Sequence, residues 1–367
     1  MQIQSVQPTP VEGPMTDTII SRIEGCAGRL SLNRPKAIHA LDLDMVLAMT
    51  EALLAWRDDP AVEAVLIDHA DGRGFCAGGD VVTIAKSAQG TGAAARAFFF
   101  NEYRLNHLLF SYPKPTAVFM DGVTMGGGVG ISRPCDYRIA TDRTLFAMPE
   151  TSIGLFPDVG GGWHLSRLIG RLPQFLALTG ARLDGAECFA LGLATHYVAH
   201  EDVARLKADI AGDPDRIDAY LAHAQAAPPP ARIKANRDKI CRLFEAETLE
   251  GILAALEADG SDWALKELAT LRTKSPTACK VSLKLLEKSA AMRDFAGEMG
   301  MEYALMAHVS AHPDFAEGVR ALLVDKDNAP RWSPPTPEEV TDAMVERLFD
   351  PLPPEESWSP PPLEAGE

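Results

Sequence analysis

The sequence has few features of a disulfide-rich, metal-binding or membrane-spanning protein. Its six cysteines are scattered over 367 residues, and no two form a C-x-x-C pair. A disulfide framework and a zinc site are therefore disfavoured. No apolar run approaches the roughly 20 residues that cross a bilayer. The stretch 1–14 contains no Lys, no Arg and no apolar core, unlike a secretory signal or a transit peptide. These absences predict a cytoplasmic protein with reduced thiols, no metal and no membrane contact.

Positive charge is also scarce. The chain has 35 Lys and Arg residues against 51 Asp and Glu residues, so its formal net charge is −16. Binding to a nucleic-acid backbone is disfavoured, because it requires a basic stripe on the protein surface. A small anionic ligand is still compatible with this charge, since local charge can oppose the net charge. We therefore expect a small-molecule partner and no nucleic acid.

The common glycine-containing signatures of nucleotide binding and serine hydrolysis are missing too. No segment reads G-x-G-x-x-G, G-x-x-x-x-G-K-[ST] or G-x-S-x-G. Dinucleotide binding, P-loop chemistry and a nucleophile elbow are therefore all disfavoured.

The pattern of apolar residues predicts an α/β core followed by helices. Strands are expected at 19–23, 28–32, 64–68, 116–120 and 137–140, and helices at 42–56 and 92–109. Their recurrence at roughly 40–50 residues is typical of stacked ββα turns in an α/β spiral. Beyond residue 165 the pattern is helical. The predicted organisation is a disordered tail at 1–15, a core at 16–200, a helical region at 201–350 and a Pro/Glu-rich, disordered tail at 351–367.

Two glycine-rich loops are predicted to follow strands and to precede helices. They read DGRGFCAGGD at 71–80 and DGVTMGGGVG at 121–130. Glycine lets a backbone N–H approach a ligand without a β-carbon in the way, and a helix N-terminus adds partial positive charge. Two such N–H groups that converge on one point form an oxyanion hole.

A third stretch, 147–162, supplies two carboxylates, Glu150 and Asp158. Pro157 and the glycines 160–162 predict a loop here, because both residue types disfavour a helix interior. In a structural reading, Glu150 caps a helix and Asp158 closes a turn. In a functional reading, they supply a base or a nucleophile beside the oxyanion hole. Cys76 as nucleophile would need a paired His, and a packed side chain is favoured.

Four segments together resemble the enoyl-CoA hydratase/isomerase (crotonase) superfamily. They are LSLNRPKAIHAL (30–41), GRGFCAGGD (72–80), DGVTMGGGVG (121–130) and MPETSIGLFPDVGGG (148–162). The likeness extends from about residue 18 to residue 349, and with EGVRALLVDKD (317–327) it is most similar to the 3-hydroxyisobutyryl-CoA hydrolase group. The resemblance implies a crotonase-type spiral of ββα units, a coenzyme A thioester as substrate and an oxyanion hole. No cofactor is implied, because CoA is part of the substrate.

The resemblance also implies roles for individual residues. The oxyanion-hole donors fall on the backbone N–H groups of Ala77 and Gly127. Glu150 falls on the catalytic glutamate, Asp158 on the acidic residue that marks the hydrolases, and Glu102 on a polar residue of the acyl pocket. With Gly127, these three acids would bind the substrate. The implied CoA contacts are Arg34, Lys36, Ala37, Cys76 and Lys326, and Lys326 would contact a neighbouring protomer's cofactor.

One departure from the superfamily bears on the reaction. Hydratases of this fold use two glutamates, and the first falls on Gly130 here, whereas Asp158 falls where hydratases typically have glycine. The resemblance therefore implies hydrolysis of a 3-hydroxyacyl-CoA, namely 3-hydroxyisobutyryl-CoA in valine catabolism. An enoyl-CoA hydratase or isomerase, and a non-catalytic CoA-binding protein, are the alternatives. The sequence does not decide between a 3-hydroxyisobutyryl and a 3-hydroxypropionyl substrate, or between an anhydride intermediate and direct attack by water. It also leaves open whether the protein is a homo-oligomer and whether the C-terminal helices form a lid.

Overall fold

The computed structural model describes residues 17–361, so the predicted tail at 1–15 lies outside the described residues. The strands in chain order are β1 (Ile19–Glu24), β2 (Ala27–Leu32), β3 (Ala64–His69), β4 (Gly74–Cys76), β5 (Thr116–Met120), β6 (Val123–Met125), β7 (Tyr137–Thr141), β8 (Leu145–Ala147), β9 (Leu183–Asp184) and β10 (His196–Val198). The five strands predicted from the sequence are all present.

Helices cover most of the remaining chain. In order they are α1 (Leu43–Arg57), α2 (Val81–Ala88), α3 (Ala93–Phe110), α4 (Gly127–Ser132), α5 (Gly161–Ser166), α6 (Leu172–Thr179), α7 (Gly185–Ala190), α8 (Val203–Gly212), α9 (Ile217–Ala224), α10 (Arg232–Leu243), α11 (Leu249–Asp259), α12 (Asp262–Leu271), α13 (Pro276–Ala290), α14 (Phe295–Val309), α15 (Pro313–Val319) and α16 (Asp342–Leu348). Within residues 17–361, no helix has the length and apolarity needed to cross a membrane.

Two sheets form the core of the spiral. The larger has the order β1-β2-β3-β5-β7-β10, and the smaller has the order β4-β6-β8-β9. From β2 onward the larger sheet is parallel, and β4, β6 and β8 are parallel neighbours in the smaller one. The successive pairs β3/β4, β5/β6 and β7/β8 each add one strand to each sheet before a helix follows. This arrangement confirms the predicted spiral and places the ends of β4, β6 and β8 side by side.

The first long helix begins where the sequence predicts. The Asp42 side chain accepts a hydrogen bond from the Met45 N–H at 2.9 Å, which satisfies one of the four N–H groups that a helix start leaves unpaired. Met45, Met49 and Leu53 lie on the buried face of α1. The apolar periodicity and the cap together therefore fix both the start and the orientation of this helix.

The helical region after β10 is continuous with the spiral core. Helix α13 packs against α5 and α6, and a single hydrophobic cluster includes both Leu165 and Leu285. The predicted boundary near residue 200 stays a prediction. Helix α10 ends at Leu243, and Thr248 begins α11 by accepting a hydrogen bond from the Gly251 N–H.

The C-terminal segment corrects one prediction. Residues 351–361 were expected to be disordered, yet the Trp358 side chain is buried and its indole N–H donates to the Phe100 carbonyl at 3.2 Å. Arg104 in turn donates to the Ser359 carbonyl at 2.9 Å. One tryptophan docked on α3 therefore orders a stretch whose Pro-rich composition predicts disorder. Residues 362–367 lie outside the described part.

Candidate active site

The three glycine loops that follow β4, β6 and β8 meet at close range. A β-carbon at Gly126 would lie 3.3 Å from the Gly78 Cα and 3.4 Å from a carboxylate oxygen of Glu150. Both contacts are tight, so the second loop fits between the first and third only because it lacks side chains at this point. The structure thus brings together the loops that the sequence singled out.

Glu150 begins a short 3₁₀ turn three residues after the end of β8, and its side chain is buried. Its side chain caps no helix, and among the described residues its Oε2 atom has no hydrogen-bond partner. Burial raises the pKa of Glu150 well above its usual range, and the nearby Asp158 charge raises it further. A carboxyl group in such a state can act as a proton acceptor or nucleophile once ionised.

Asp158 is also buried, and it has one side-chain partner. The Tyr103 hydroxyl donates a hydrogen bond to Asp158 Oδ2 at 2.9 Å. Burial raises the pKa of Asp158 to about 7, although the Tyr103 hydrogen bond opposes this rise. The turn is closed instead by the Asp158 backbone, whose carbonyl accepts from the Gly161 N–H at 2.7 Å. The side chain is therefore available for chemistry near neutral pH.

Glu102 projects from α3 into the same place. A β-carbon at Gly127 would lie only 2.5 Å from Glu102 Oε1, and this oxygen has no partner within residues 17–361. Burial raises the pKa of Glu102 well above its usual range, and the Asp158 charge adds to the rise. Three carboxyl groups thus share one desolvated site, where each charge disfavours ionisation of the others.

The backbone donors differ from the prediction in one position. The Gly127 N–H is at the first position of α4, where no intrahelical acceptor exists. The Ala77 N–H, by contrast, donates to the Ile38 carbonyl at 2.9 Å, so the structure does not support Ala77 as an oxyanion-hole donor. The sequence could not show this bond, because Ile38 belongs to a distant loop.

The neighbouring Gly79 is better placed, and sequence reasoning missed it. The Gly78 carbonyl and the Asp80 N–H both bond to Leu41, so the N–H of the intervening Gly79 faces the opposite side of this extended stretch. Among the described residues, this N–H donates a hydrogen bond to no acceptor. The sequence feature that could have identified Gly79 is its position just before Asp80, which caps α2.

The residues expected to contact CoA lie in two places: Arg34, Lys36, Ala37 and Cys76 lie at or near the ends of β2 and β4, and Lys326 lies beyond α15. Arg34 pairs with Asp80 at 2.8 Å, and Ala77, which follows Cys76, bonds to the loop that contains Ala37. Lys36 is exposed on that loop. Lys326 is exposed beyond α15, a helix that packs on α2 of the same chain.

Cys76 itself does not have the properties of a nucleophile. Its thiol is buried and donates to the His39 carbonyl at 3.2 Å. Burial raises the pKa of this thiol to about 12, so the reactive thiolate is disfavoured at neutral pH. The packed role favoured from the sequence is consistent with this environment.

Helix α14 contributes a residue that the sequence analysis did not single out. The Glu302 carboxylate accepts from the N–H groups of Gly160, at 2.8 Å, and Gly162, at 3.2 Å. It therefore holds the start of α5, two residues beyond Asp158. This helix start also shortens the loop predicted at 147–162. The sequence feature that could have identified this residue is the pair Glu298 and Glu302, two acids spaced four residues apart on an apolar helix.

Gly130 faces a filled space. A β-carbon there would lie 2.5 Å from the Val159 Cβ and 3.0 Å from the Asn106 Nδ2. Val159 has a φ of +55°, a conformation that is strained for a β-branched residue and that occurs mainly at functional sites. An acidic side chain at position 130 is therefore excluded by its neighbours as well as missing from the sequence.

Comparisons with known proteins identify the family of this chain. A model of the enoyl-CoA hydratase/isomerase family matches residues 27–349. Among curated relatives, "3-hydroxyisobutyryl-CoA hydrolase, mitochondrial" of Xenopus laevis is 43% identical over 337 residues, which cover 89% of this chain and 87% of that protein. The protein of the same name in Homo sapiens is 39% identical, with 92% and 89% covered.

Two solved structures are similar over nearly the whole chain. A carnitinyl-CoA dehydratase from Mycobacterium thermoresistibile has a TM-score of 0.89 and 41% identity, covering 92% of this chain and 98% of its own. An enoyl-CoA hydratase from Rhodobacter sphaeroides has a TM-score of 0.87 and 36% identity, covering 93% and 99%. The chain therefore belongs to the enoyl-CoA hydratase/isomerase family.

Proposed function

We propose that this protein hydrolyses the thioester of a 3-hydroxyacyl-CoA, most closely 3-hydroxyisobutyryl-CoA, to the free acid and CoA, as in valine catabolism. The observation that carries the proposal is the acid arrangement: Glu150 and Asp158 are buried together, while the space beside Gly130 is filled by Val159. The names of the curated relatives support the same substrate.

The reaction begins with binding of the thioester carbonyl oxygen. We assign the Gly79 and Gly127 N–H groups as the donors that stabilise the negative charge on this oxygen in the tetrahedral intermediate. Glu150 then acts in one of two ways. Its carboxylate attacks the carbonyl carbon and expels CoA thiolate, leaving an anhydride that water hydrolyses, or it takes a proton from the water that attacks. Both routes require an ionised Glu150.

Asp158 and Glu102 would act on the acyl end of the substrate. Asp158, oriented by the Tyr103 hydroxyl, would bind the 3-hydroxyl group or orient the water. Glu102 is held largely neutral by burial and by the Asp158 charge, so it can donate a hydrogen bond without adding repulsion. We therefore propose both as substrate-binding residues beside Glu150.

Water addition to an enoyl-CoA is the second candidate, and it is favoured by the similarity to a carnitinyl-CoA dehydratase and an enoyl-CoA hydratase. Concerted addition requires two acids that face the double bond, and the position of the first is Gly130. Because Val159 and Asn106 fill the adjoining space, no side chain at that position can serve as the second acid. A binding protein without activity would gain nothing from three buried carboxyl groups, since their burial is unfavourable.

Substitution of Asp158 by asparagine tests the substrate class. If the carboxylate accepts a hydrogen bond from the 3-hydroxyl group, Asp158→Asn should reduce kcat/KM for 3-hydroxyisobutyryl-CoA by about 10- to 100-fold more than for isobutyryl-CoA. Thiol release from both substrates measures the difference. Asp215→Asn, an exposed change outside the site, is the matched control. Equal losses on both substrates would refute a bond from Asp158 to the 3-hydroxyl.

Substitution of Tyr103 by phenylalanine tests the electrostatics of the same carboxyl group. The Tyr103 hydrogen bond stabilises ionised Asp158 and lowers its pKa, so its loss should raise that pKa above about 7. If ionised Asp158 is the active form, the acidic limb of the kcat/KM profile should move to higher pH. A profile of Tyr103→Phe that coincides with that of the wild type would show that Asp158 ionisation does not limit the reaction.

The compartment and the oligomeric state stay predictions. We expected a cytoplasmic protein, whereas the curated relatives carry the word mitochondrial in their names. The six cysteines are unpaired thiols, which fits either reducing compartment. A homo-oligomer is likewise proposed from the superfamily resemblance alone, and mass measurement in solution tests it.

A further inference from the structure

A buried carboxamide beside the site has no role in the mechanism above. Asn106 has 0% of its surface exposed, and within residues 17–361 neither its Nδ2 nor its Oδ1 atom has a hydrogen-bond partner. Nearly all buried polar side-chain atoms in proteins are paired. An amide that is unpaired at both atoms therefore calls for a group that it meets during function.

Its position on α3 places this amide next to the acyl pocket. Asn106 lies four residues after Glu102, so both side chains leave the same face of the helix. Its Nδ2 atom lies 3.0 Å from the point where a β-carbon of Gly130 would be, and Val159, which follows Asp158, lies 2.5 Å from that point. The carboxamide thus projects from the face of α3 that carries Glu102 and lies close to the loop that contains Asp158.

The chemistry of the amide limits what it can bind. Its NH₂ group donates hydrogen bonds and its carbonyl accepts them. The group that matches it best therefore also donates and accepts hydrogen bonds, as a hydroxyl does. The amide is neutral, and it therefore adds no charge to a site that already holds three carboxyl groups. By contrast, a fourth acid in this place would be repelled by the other three.

We propose that Asn106 is a specificity-determining residue that binds the 3-hydroxyl group of the acyl chain. The inference rests on the proposed function, since it takes a 3-hydroxyacyl-CoA as the substrate. The hydroxyl O–H donates a hydrogen bond to Asp158 and the Asn106 NH₂ donates to the hydroxyl oxygen, so the two residues bind one group from two sides. The neutral partner supplies selectivity without changing the charge of the site.

Binding to an inactive variant tests the proposal apart from turnover. In a Glu150→Gln background, the Kd values of 3-hydroxyisobutyryl-CoA and isobutyryl-CoA are measured by calorimetry with and without Asn106→Leu, which keeps the side-chain size. The added change should weaken binding of the hydroxylated ligand by about 10- to 100-fold. Binding of isobutyryl-CoA should change by less than about 2-fold, because that ligand offers no hydroxyl to the amide.

The outcomes separate the two proposals. Equal weakening for both ligands would overturn the role of Asn106, because it would point to a structural effect or to a bound water. Unchanged binding of both ligands would overturn it as well. If Asn106→Leu does not fold, Asn106→Ser carries the same test, since its short hydroxyl cannot replace the amide at that distance. Failure of the proposed function itself would appear differently, as no thiol release by the wild type from any 3-hydroxyacyl-CoA.

Discussion

Substitution of Glu150 by glutamine is expected to reduce kcat for CoA release by about 1,000-fold or more. Glutamine keeps the shape of the side chain, but it can neither attack a carbonyl carbon as a carboxylate does nor take a proton from water. Both routes open to Glu150 are therefore lost together. Binding of the CoA thioester should be retained, because the proposed CoA contacts lie on other loops. Steady-state kinetics and calorimetry measure the two effects.

The Glu150→Gln substitution is also expected to change how the stability of the protein depends on pH. Burial raises the folded-state pKa of Glu150, so the wild type loses stability as the pH rises from the unfolded value through the folded one. A neutral glutamine does not titrate, and the Tm of the variant relative to the wild type should therefore increase with pH. The exposed Glu63→Gln is the matched control. Near-normal turnover by Glu150→Gln would contradict the assignment of Glu150.

Substitution of Gly127 by alanine is expected to reduce kcat/KM by about 100- to 1,000-fold, the usual loss when an oxyanion-hole donor is removed. The added methyl group would lie 2.5 Å from Glu102 Oε1 and 3.2 Å from the Leu41 Cδ1. One of these neighbours or the α4 start must then move. Movement of the helix start displaces the N–H donor, whereas movement of Glu102 disrupts the acyl pocket.

The matched control for this variant is Gly300→Ala. Gly300 lies within α14, and a β-carbon there would meet nothing within 4 Å. This change should leave thiol release unaltered and should increase the free energy of unfolding by about 0.5–1 kcal/mol, the helix preference for alanine over glycine. Full activity of Gly127→Ala would show that the N–H of Gly127 is not an oxyanion-hole donor.

Local sequence patterns predicted much of the fold because local interactions determine those elements. The strand predicted at 116–120 has the same limits in the structure, and the strands predicted at 64–68 and 137–140 are each one residue longer there. The Asp42 cap explains why the start of α1 was also predicted well. The convergence of the glycine loops follows from the spiral, since it makes β4, β6 and β8 neighbours.

The parts that the sequence could not predict depend on contacts between distant segments. The Ala77 N–H is occupied by Ile38, so the donor assignment changes to Gly79 only once the two loops are seen together. Glu302 reaches the start of α5 from 140 residues away. The C-terminal helices thus supply part of the support for the site, a role that the proposed lid did not include.

The reaction of the wild-type protein itself is the most direct test of thioester hydrolysis at this site. Release of free CoA thiol from 3-hydroxyisobutyryl-CoA is measured, and hydration of crotonyl-CoA is followed in parallel under the same conditions. Rapid thiol release and negligible hydration are expected, because the acids at Glu150 and Asp158 serve attack on the thioester carbonyl. Hydration without thiol release would contradict this assignment, and would require a second acid other than the one that Gly130 replaces.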